Sequence, residues 1–528
     1  MTFAKNSKIA TRDYDIIIVG GGSAGAVMAS RLSENRNQCV LLIEAGASYT
    51  KSTFPPQIAL GRRVGGDAST TWAHTQEIGS SKASGGLRAK ILGGGSAINA
   101  AAFVRAPRSD FDRWAAAGLR DWAYEQVLPY FKKSEKADYG NDEWHGRRGP
   151  IPVHLRRKDE LSKTAQAFID AALQAGFLSN DDLNKPFPKG IGIYPLNVQD
   201  DPGNPALDRN DREIRVNTAI AYLTDDVRQR ENLDILADTE VDKVLFNGHH
   251  VRGVQLADGR ELTARQVVLS AGAIGSGAIL LRSGVGPKEH LAAHSIHLVA
   301  DLPVGQALMD QPNVYLQVFI EGDGAILPAL GGKLWEQSSL AAADQLDIYL
   351  GFNHFANLAQ SPTGKAFGII ACACRPRSRG KLELESADPR ALPRVSLNLL
   401  SVESDIQILI EAVAMMRRIA AHEPLRSQAV SIHFSDGSEV PTDLKSLREA
   451  IVKQVDSTLH VTSSAPMGPL GDPLAVLDEQ GRVYGLSGLR VADASIFPDV
   501  PSVATNPTVI MAAEYIADRI KQAGPSAA

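Results

Sequence analysis

Residues 13–46, DYDIIIVGGGSAGAVMASRLSENRNQCVLLIEAG, carry the pattern from which the architecture of the whole chain is read. Tyr14 to Val19 is an unbroken apolar run rich in β-branched residues, as expected of a strand buried on both faces of a parallel sheet. Gly20-x-Gly22-x-x-Gly25 follows at once, and Ala24 to Ser33 reads as a helix of small residues. Cys39 to Ile43 is a second buried strand, ending in Glu44. Each part has a physical task in holding a dinucleotide. Gly20 permits the tight turn, Gly22 lets backbone approach a pyrophosphate, and Gly25 lets helix pack closely on strand. The helix N-terminus offers free N–H groups and the positive end of its dipole to the phosphates. Glu44 lies 19 residues past Gly25 and can accept from ribose hydroxyls, while its charge disfavours a 2′-phosphate. Strand, glycines, helix and acid together make the motif specific, but they do not separate FAD from NAD.

A second glycine loop, AKILGGGSAINAAAFVRAPRSDFDRW, spans residues 89–114. Gly93, Gly94 and Gly95 in succession require positive φ or a very close backbone approach. Ser96 and Asn99 add polar side chains at the start of a helix. Such a loop suits a flat ring or a phosphate, and it equally suits close packing. This stretch resembles the first signature of the glucose–methanol–choline (GMC) oxidoreductases, FAD-dependent alcohol oxidases and dehydrogenases. The resemblance is carried by Ala89-Lys90, Leu92 through Ser96, Ile98-Asn99, Phe103 and Asp112. GAIGSGAILLRSGVG (272–286) is similar to the family's second signature, departing at Gly277, where Pro or Ser is usual. HGRRGPIPV (145–153), LPVGQALMDQP (302–312), RPRSRGKLELESADP (375–389) and residues 488–520 extend the likeness over nearly all 528 residues. In MDQP, Gln311 stands where the family commonly has histidine.

The resemblance implies FAD contacts from Gly20, Gly22, Ser23, Ala24, Gly25, Glu44 and Ala45 in the first loop. It implies more from Trp72, Leu92, Gly94, Gly95, Ser96, Asn99, Ala100 and Ala102 around the second. Val241 and, toward the carboxy terminus, Asp493, Ala494, Asn506, Pro507 and Thr508 complete the set. Some relatives tether FAD covalently through a histidine two residues after the serine of the second loop. That position is Ile98 here, so non-covalent FAD is expected.

In STLHVTSSAPMG (457–468), a lone His460 sits between a strand-like run and a small-residue loop. Taken by itself it reads as structural. The matching family stretch commonly reads His-Pro-x-Gly-Thr-Cys-x-Met-Gly. Here His460, Met467 and Gly468 are kept, while Val461, Ser463, Ser464 and Ala465 replace the usual residues. Asn506 falls 46 residues after His460 and looks like the second member of the family's His–Asn or His–His pair. The chemistry explains these residue types. Oxidising an alcohol removes a proton from oxygen and a hydride from carbon, and a neutral imidazole can take the proton. Asn506 can hold the same oxygen and place the C–H bond over the flavin N5. The remaining histidines, including the pair His249-His250, read as exposed loop residues.

The expected fold class is α/β, a Rossmann-type FAD-binding domain interleaved with a substrate domain built on an antiparallel β-sheet with helices. The FAD domain is expected over 1–155, 213–310 and 466–528, and the substrate domain over 156–212 and 311–465. The net charge of −5, without a basic run, argues against nucleic acid and anionic membrane as partners. Cys39, Cys372 and Cys374 offer poor disulfide or metal spacing, and no metal site is read. The first residues carry no apolar stretch long enough for a signal peptide, no run reaches membrane-spanning length, and a cytoplasmic location is expected. The end, KQAGPSAA, reads as a frayed tail. The expected partners are a small-molecule alcohol, primary and possibly aryl or heteroaryl, and O2 or another electron acceptor. The chain is expected as a monomer or small homo-oligomer. A hydroxynitrile lyase of the same fold, using FAD without net redox change, is the alternative; an NAD-dependent enzyme or a pure binding module explains less.

Overall fold

Two sheets organise the chain. The structure is a computed structural model that describes residues 12–61, 63–79, 83–201, 213–321 and 328–523; the first eleven residues and the end of the expected tail lie outside them. The first sheet orders its parallel strands Leu233–Leu236, Val40–Ile43, Tyr14–Val19, Glu261–Leu269 and Leu489–Val491. Ile16, Ile17 and Ile18 are fully buried, as the unbroken apolar run requires. The strands Val241–Asn247 and His250–Leu256 extend this sheet as an antiparallel meander, and His249 and His250 are exposed in its hairpin.

The helix Ser23–Leu32 packs against the carboxy-terminal helix Asn506–Ala523. Between them Glu514, fully buried, accepts from Arg31 and from the Tyr222 hydroxyl and pairs with Lys133. A buried carboxylate needs such partners, and removing one typically costs 3–5 kcal/mol.

The second sheet is antiparallel and orders its strands Ala429–Phe434, Pro312–Ile320, Ala366–Ala373, Ile348–Asn353, Leu330–Glu336 and Gly190–Ile193, with Asp456–Ser457 added beside Pro312–Ile320. Its two faces belong to different cores because successive side chains alternate. Leu334, Ile348, Leu350, Ile369, Ala371, Val314 and Leu316 pack with the helix Glu403–Ala420. Trp335, Tyr349, Cys372 and Cys374 instead join the core that contains the nucleotide sheet. The antiparallel sheet thus turns one face toward the glycine loops. Among the described residues no helix is long and apolar enough to cross a membrane, and all three cysteines are free.

The reading of the remaining histidines as exposed needs correction. His145 is 1% exposed, with Nδ1 bonded to Glu135 (3.0 Å) and Nε2 to Asp182 (2.9 Å), and Arg105 pairs with the same Glu135. Burial alone would lower its pKa, but the two carboxylates more than offset that and raise it. His74 and His354 lie on or beside strands and are partly buried; burial depresses both to about 4.

Candidate active site

The two glycine loops meet backbone to backbone. Gly20 has φ +94°, and a Cβ there would stand 2.6 Å from Ala271 Cα. A Cβ on Gly25 would fall 1.8 Å from Gly20 O, so only glycine lets this helix sit on its strand. Gly94, at φ +53°, would place a Cβ 2.6 Å from Gly22 Cα. The Gly93 N–H donates to Gly21 O at 2.8 Å, and Leu92 packs against Gly21. The helix Ser23–Leu32 starts at Gly22 without a side-chain cap, leaving N–H groups for an anion. Glu44 accepts from the N–H groups of Gly21 (2.7 Å) and Gly46 (2.8 Å). Burial raises its pKa against the pull of those donors. Thr239 donates its N–H to Glu44 O, which brings the segment leading to Val241 beside Glu44 and Ala45. Trp72 carries the Lys90 ammonium 4.2 Å over its ring, at the entry to the second loop.

The donor set fits a dinucleotide with a flat ring. A Cβ on Gly95 would meet nothing within 4 Å. Thr508, in the first turn of the carboxy-terminal helix behind Asn506 and Pro507, has a buried Oγ1 with no protein partner. Asn99 Oδ1 accepts from the Ala101 N–H, fixing the backbone turn between Ala100 and Ala102 at Ala101, φ +59°.

Three expected contacts stand differently. All four acceptor positions of Asp493 are filled by the chain: Gly272 N–H, Ser276 Oγ, and the N–H and Oγ of Ser495. Its side chain ties the helix Gly272–Arg282 to Ala494–Ile496 and leaves no lone pair for a cofactor. The Ser96 hydroxyl bonds to Gly93 O, Thr218 Oγ1 and Thr218 N–H, which makes it a loop clasp. Asn506 Oδ1 accepts from Ser23 Oγ at 2.7 Å, and no hydrogen bond joins Asn506 to His460. Asn506 therefore lies at the first glycine loop. Ala494 touches the His460 loop through its carbonyl, which accepts from the Ser463 N–H.

His460 is held by a segment 150 residues away. Buried Asp310 accepts from the His460 N–H (3.0 Å), the Gln311 N–H (2.7 Å), the Thr458 hydroxyl (3.1 Å) and the Ser457 hydroxyl. Leu459 and Ser463 both adopt left-handed backbone at φ +65°, so the ring is presented from a kinked loop. Ser463 takes this conformation where the family usually has glycine.

Gln311 sets the ring's protonation. Its Nε2 donates to Cys374 O (2.9 Å) and Pro501 O (2.7 Å), so its Oε1 must face the histidine. Oε1 lies 2.7 Å from His460 Nδ1, which therefore carries the proton, leaving the Nε2 lone pair as the basic site. Burial lowers the His460 pKa to about 3, with Arg88 and Lys333 adding cationic repulsion. The ring is thus neutral throughout the physiological range. The positioning roles of Asp310 and Gln311 were not readable, although Gln311 stood out as a departure from the usual histidine.

A GMC oxidoreductase profile in two parts matches residues 14–313 and 376–513. The chain belongs to the GMC oxidoreductase family. It is an oxidoreductase of the class acting on alcohol (CH–OH) donors. It is 35% identical over 553 residues to an oxygen-dependent choline dehydrogenase of Pectobacterium carotovorum, covering 97% of this chain and 95% of that protein. Among solved structures, pyridoxine 4-oxidase from Mesorbium loti superposes with a TM-score of 0.86 at 29% identity, over 96% of this chain and 99% of the other. A fungal aryl-alcohol oxidase, at 21% identity and TM-score 0.79, shares the fold over 97% and 99% of the two chains. These similarities cover both sheets of this GMC oxidoreductase.

Proposed function

We propose that this GMC oxidoreductase oxidises a small primary alcohol, aryl or heteroaryl in type, using FAD bound without a covalent link. The observation that carries the reading is the Gln311–His460 pair, which presents an unprotonated Nε2 from a loop held rigid by Asp310. Bound FAD would supply the hydride acceptor, at flavin N5. The uncapped helix at Gly22 would hold the pyrophosphate, Glu44 the ribose end, and Gly95 with Thr508 the flavin. Ile98 is apolar and packs beside Phe54, Ile58 and Ala97, so it offers no nucleophile for a tether.

His460 Nε2 takes the hydroxyl proton as the hydride leaves carbon, a contribution of ~10²–10⁴ in rate. As charge shifts to the ring, the Nδ1–H bond to Gln311 Oε1 keeps the imidazolium in plane. Asn506, bonded to Ser23, aligns the amino-terminal and carboxy-terminal halves of the cofactor cradle. Ser23 occupies only Asn506 Oδ1, so the amide N–H groups remain to donate to the substrate oxygen.

Anaerobic mixing of the yellow holoenzyme with a panel of alcohols tests the reading. Bleaching of the flavin band by a primary alcohol is expected. A band that survives every alcohol would overturn the redox assignment in favour of non-redox chemistry. Turnover measured with O2 and with an artificial acceptor side by side identifies the acceptor. Acid precipitation is expected to release all flavin into the supernatant.

A further inference from the structure

Lys333 is the one lysine on the face of the antiparallel sheet that turns toward the glycine loops, among the described residues. It is 1% exposed. Its strand pairs it with Gly192 on one side and Gly351 on the other, so no neighbouring side chain shields it within its row. Its ammonium lies 3.5 Å from the centroid of Trp335 and 4.7 Å from that of Tyr349. Trp335, Tyr349, Cys372 and Asn313 form the adjacent cross-strand row, which ends at Asp456, four residues before His460. The carbonyl of Cys374 is bonded by Gln311, the residue that orients His460. The lysine and the base therefore lie on one side of the sheet, close enough for the ammonium to disfavour a proton on the ring.

No carboxylate among the described residues pairs with Lys333. The nearest acidic influence, Asp110, is spent on Ser502 and Arg113. Cys372 and Cys374 are neutral thiols, their ionisation pushed up by burial. A buried ammonium without a counter-ion is costly, and two aromatic rings only partly compensate. Arg88, half-buried, adds a second cation beside His460. At Lys333 itself no paired carboxylate balances the charge; Asp310, the carboxylate beside His460, lies near Arg88 and is bonded by donors of the chain. The ring pair that elsewhere suits a quaternary ammonium ligand already holds the chain's own cation.

Resting on the alcohol oxidation proposed above, we propose that Lys333 selects the substrate: its ammonium takes a carboxylate carried by the alcohol, and cationic alcohols such as choline are turned away. A charge-assisted hydrogen bond in a dry site distinguishes an anion from its neutral analogue by about ten- to a hundredfold.

Burial lowers the Lys333 pKa to about 7, so anion binding draws a proton to it above that pH. The titratable or charged groups around it and His460 are Tyr194, Tyr349, Cys372, Cys374, His460, Arg88, Asp110 and Asp310. The phenols and thiols are held protonated by burial and His460 is held neutral, leaving Lys333 as the group that changes charge near neutrality.

The experiment compares 4-(hydroxymethyl)benzoate, benzyl alcohol and choline on the flavin-loaded enzyme and on Lys333→Met, and titrates benzoate against the flavin absorbance of each. The wild type is expected to favour the carboxylated alcohol over benzyl alcohol by about tenfold or more in kcat/KM. Lys333→Met is expected to lose that preference while benzyl alcohol turns over within about threefold of wild type. Benzoate is expected to bind the wild type progressively more weakly as pH rises above 7. Equal use of the two aryl alcohols, a preference for choline, or equal losses on both aryl alcohols in Lys333→Met would each overturn the assignment. A Lys333→Met protein that fails to retain flavin leaves the decision to the wild-type benzoate titration. If no alcohol bleaches the wild-type flavin, the oxidation reading falls while the titration still decides the role of Lys333.

Discussion

At the scale of the residue, His460 and Gln311 act as a unit. His460→Ala should retain flavin and fold but lose alcohol turnover by at least ~100-fold, measured as kcat/KM; turnover like the wild type would remove its role. Gln311→Leu removes the acceptor that fixes the tautomer and leaves Nδ1–H unpaired. The expected loss is roughly 1–2 kcal/mol, about five- to thirtyfold in kcat, with KM little changed. Because burial and two cations hold the His460 pKa near 3, kcat/KM for a neutral alcohol should show no His460-type ascending limb between pH 5 and 8. A pH profile rising with an apparent pKa near 6.5 would contradict the neutral, desolvated ring.

At the scale of the element, the paired glycine loops make a sharp test. Gly94→Ala places a methyl 2.6 Å from Gly22 Cα at a left-handed position, so the loops must part. The variant should purify with little flavin and melt lower, as absorbance and thermal unfolding would report. These loops were legible in the sequence because their information is local: a strand, three spaced glycines and a helix lie within 20 residues. The setting of His460 was not, because it is built by Asp310 and Gln311 across a sheet whose register no single segment encodes. Nothing local in LGGKLWE marks Lys333, because its burial comes from the sheet that closes over it. Asp493 shows the reverse: its motif is local, but the fold decides that its side-chain oxygens are taken by Gly272, Ser276 and Ser495.

At the scale of the whole molecule, partly buried histidines govern the acid response. His74, His354 and His460 have folded-state pKa values depressed to about 4, 4 and 3. Each is neutral when folded and takes up a proton on unfolding below pH 6.5, so stability is lost as pH falls from there. His145 runs the other way: its raised pKa stabilises below its unfolded value, and that contribution fades as pH rises through the folded value. Holoenzyme melting temperatures should therefore fall steeply from pH 6.5 toward 4.5, and His354→Gln should flatten that limb; an unchanged slope would count against a buried neutral His354. The antiparallel sheet carries a different consequence. Its alternation divides two tasks between odd and even positions of the same strands. Leu334, Leu350 and Val314 answer to the helix Glu403–Ala420, while Lys333, Tyr349 and Asn313 lie on the opposite face, toward the core that contains the nucleotide sheet. Descendants of this chain can exchange the second set for other charges and shapes without disturbing the first, so new chemistry can be tried on an inherited scaffold.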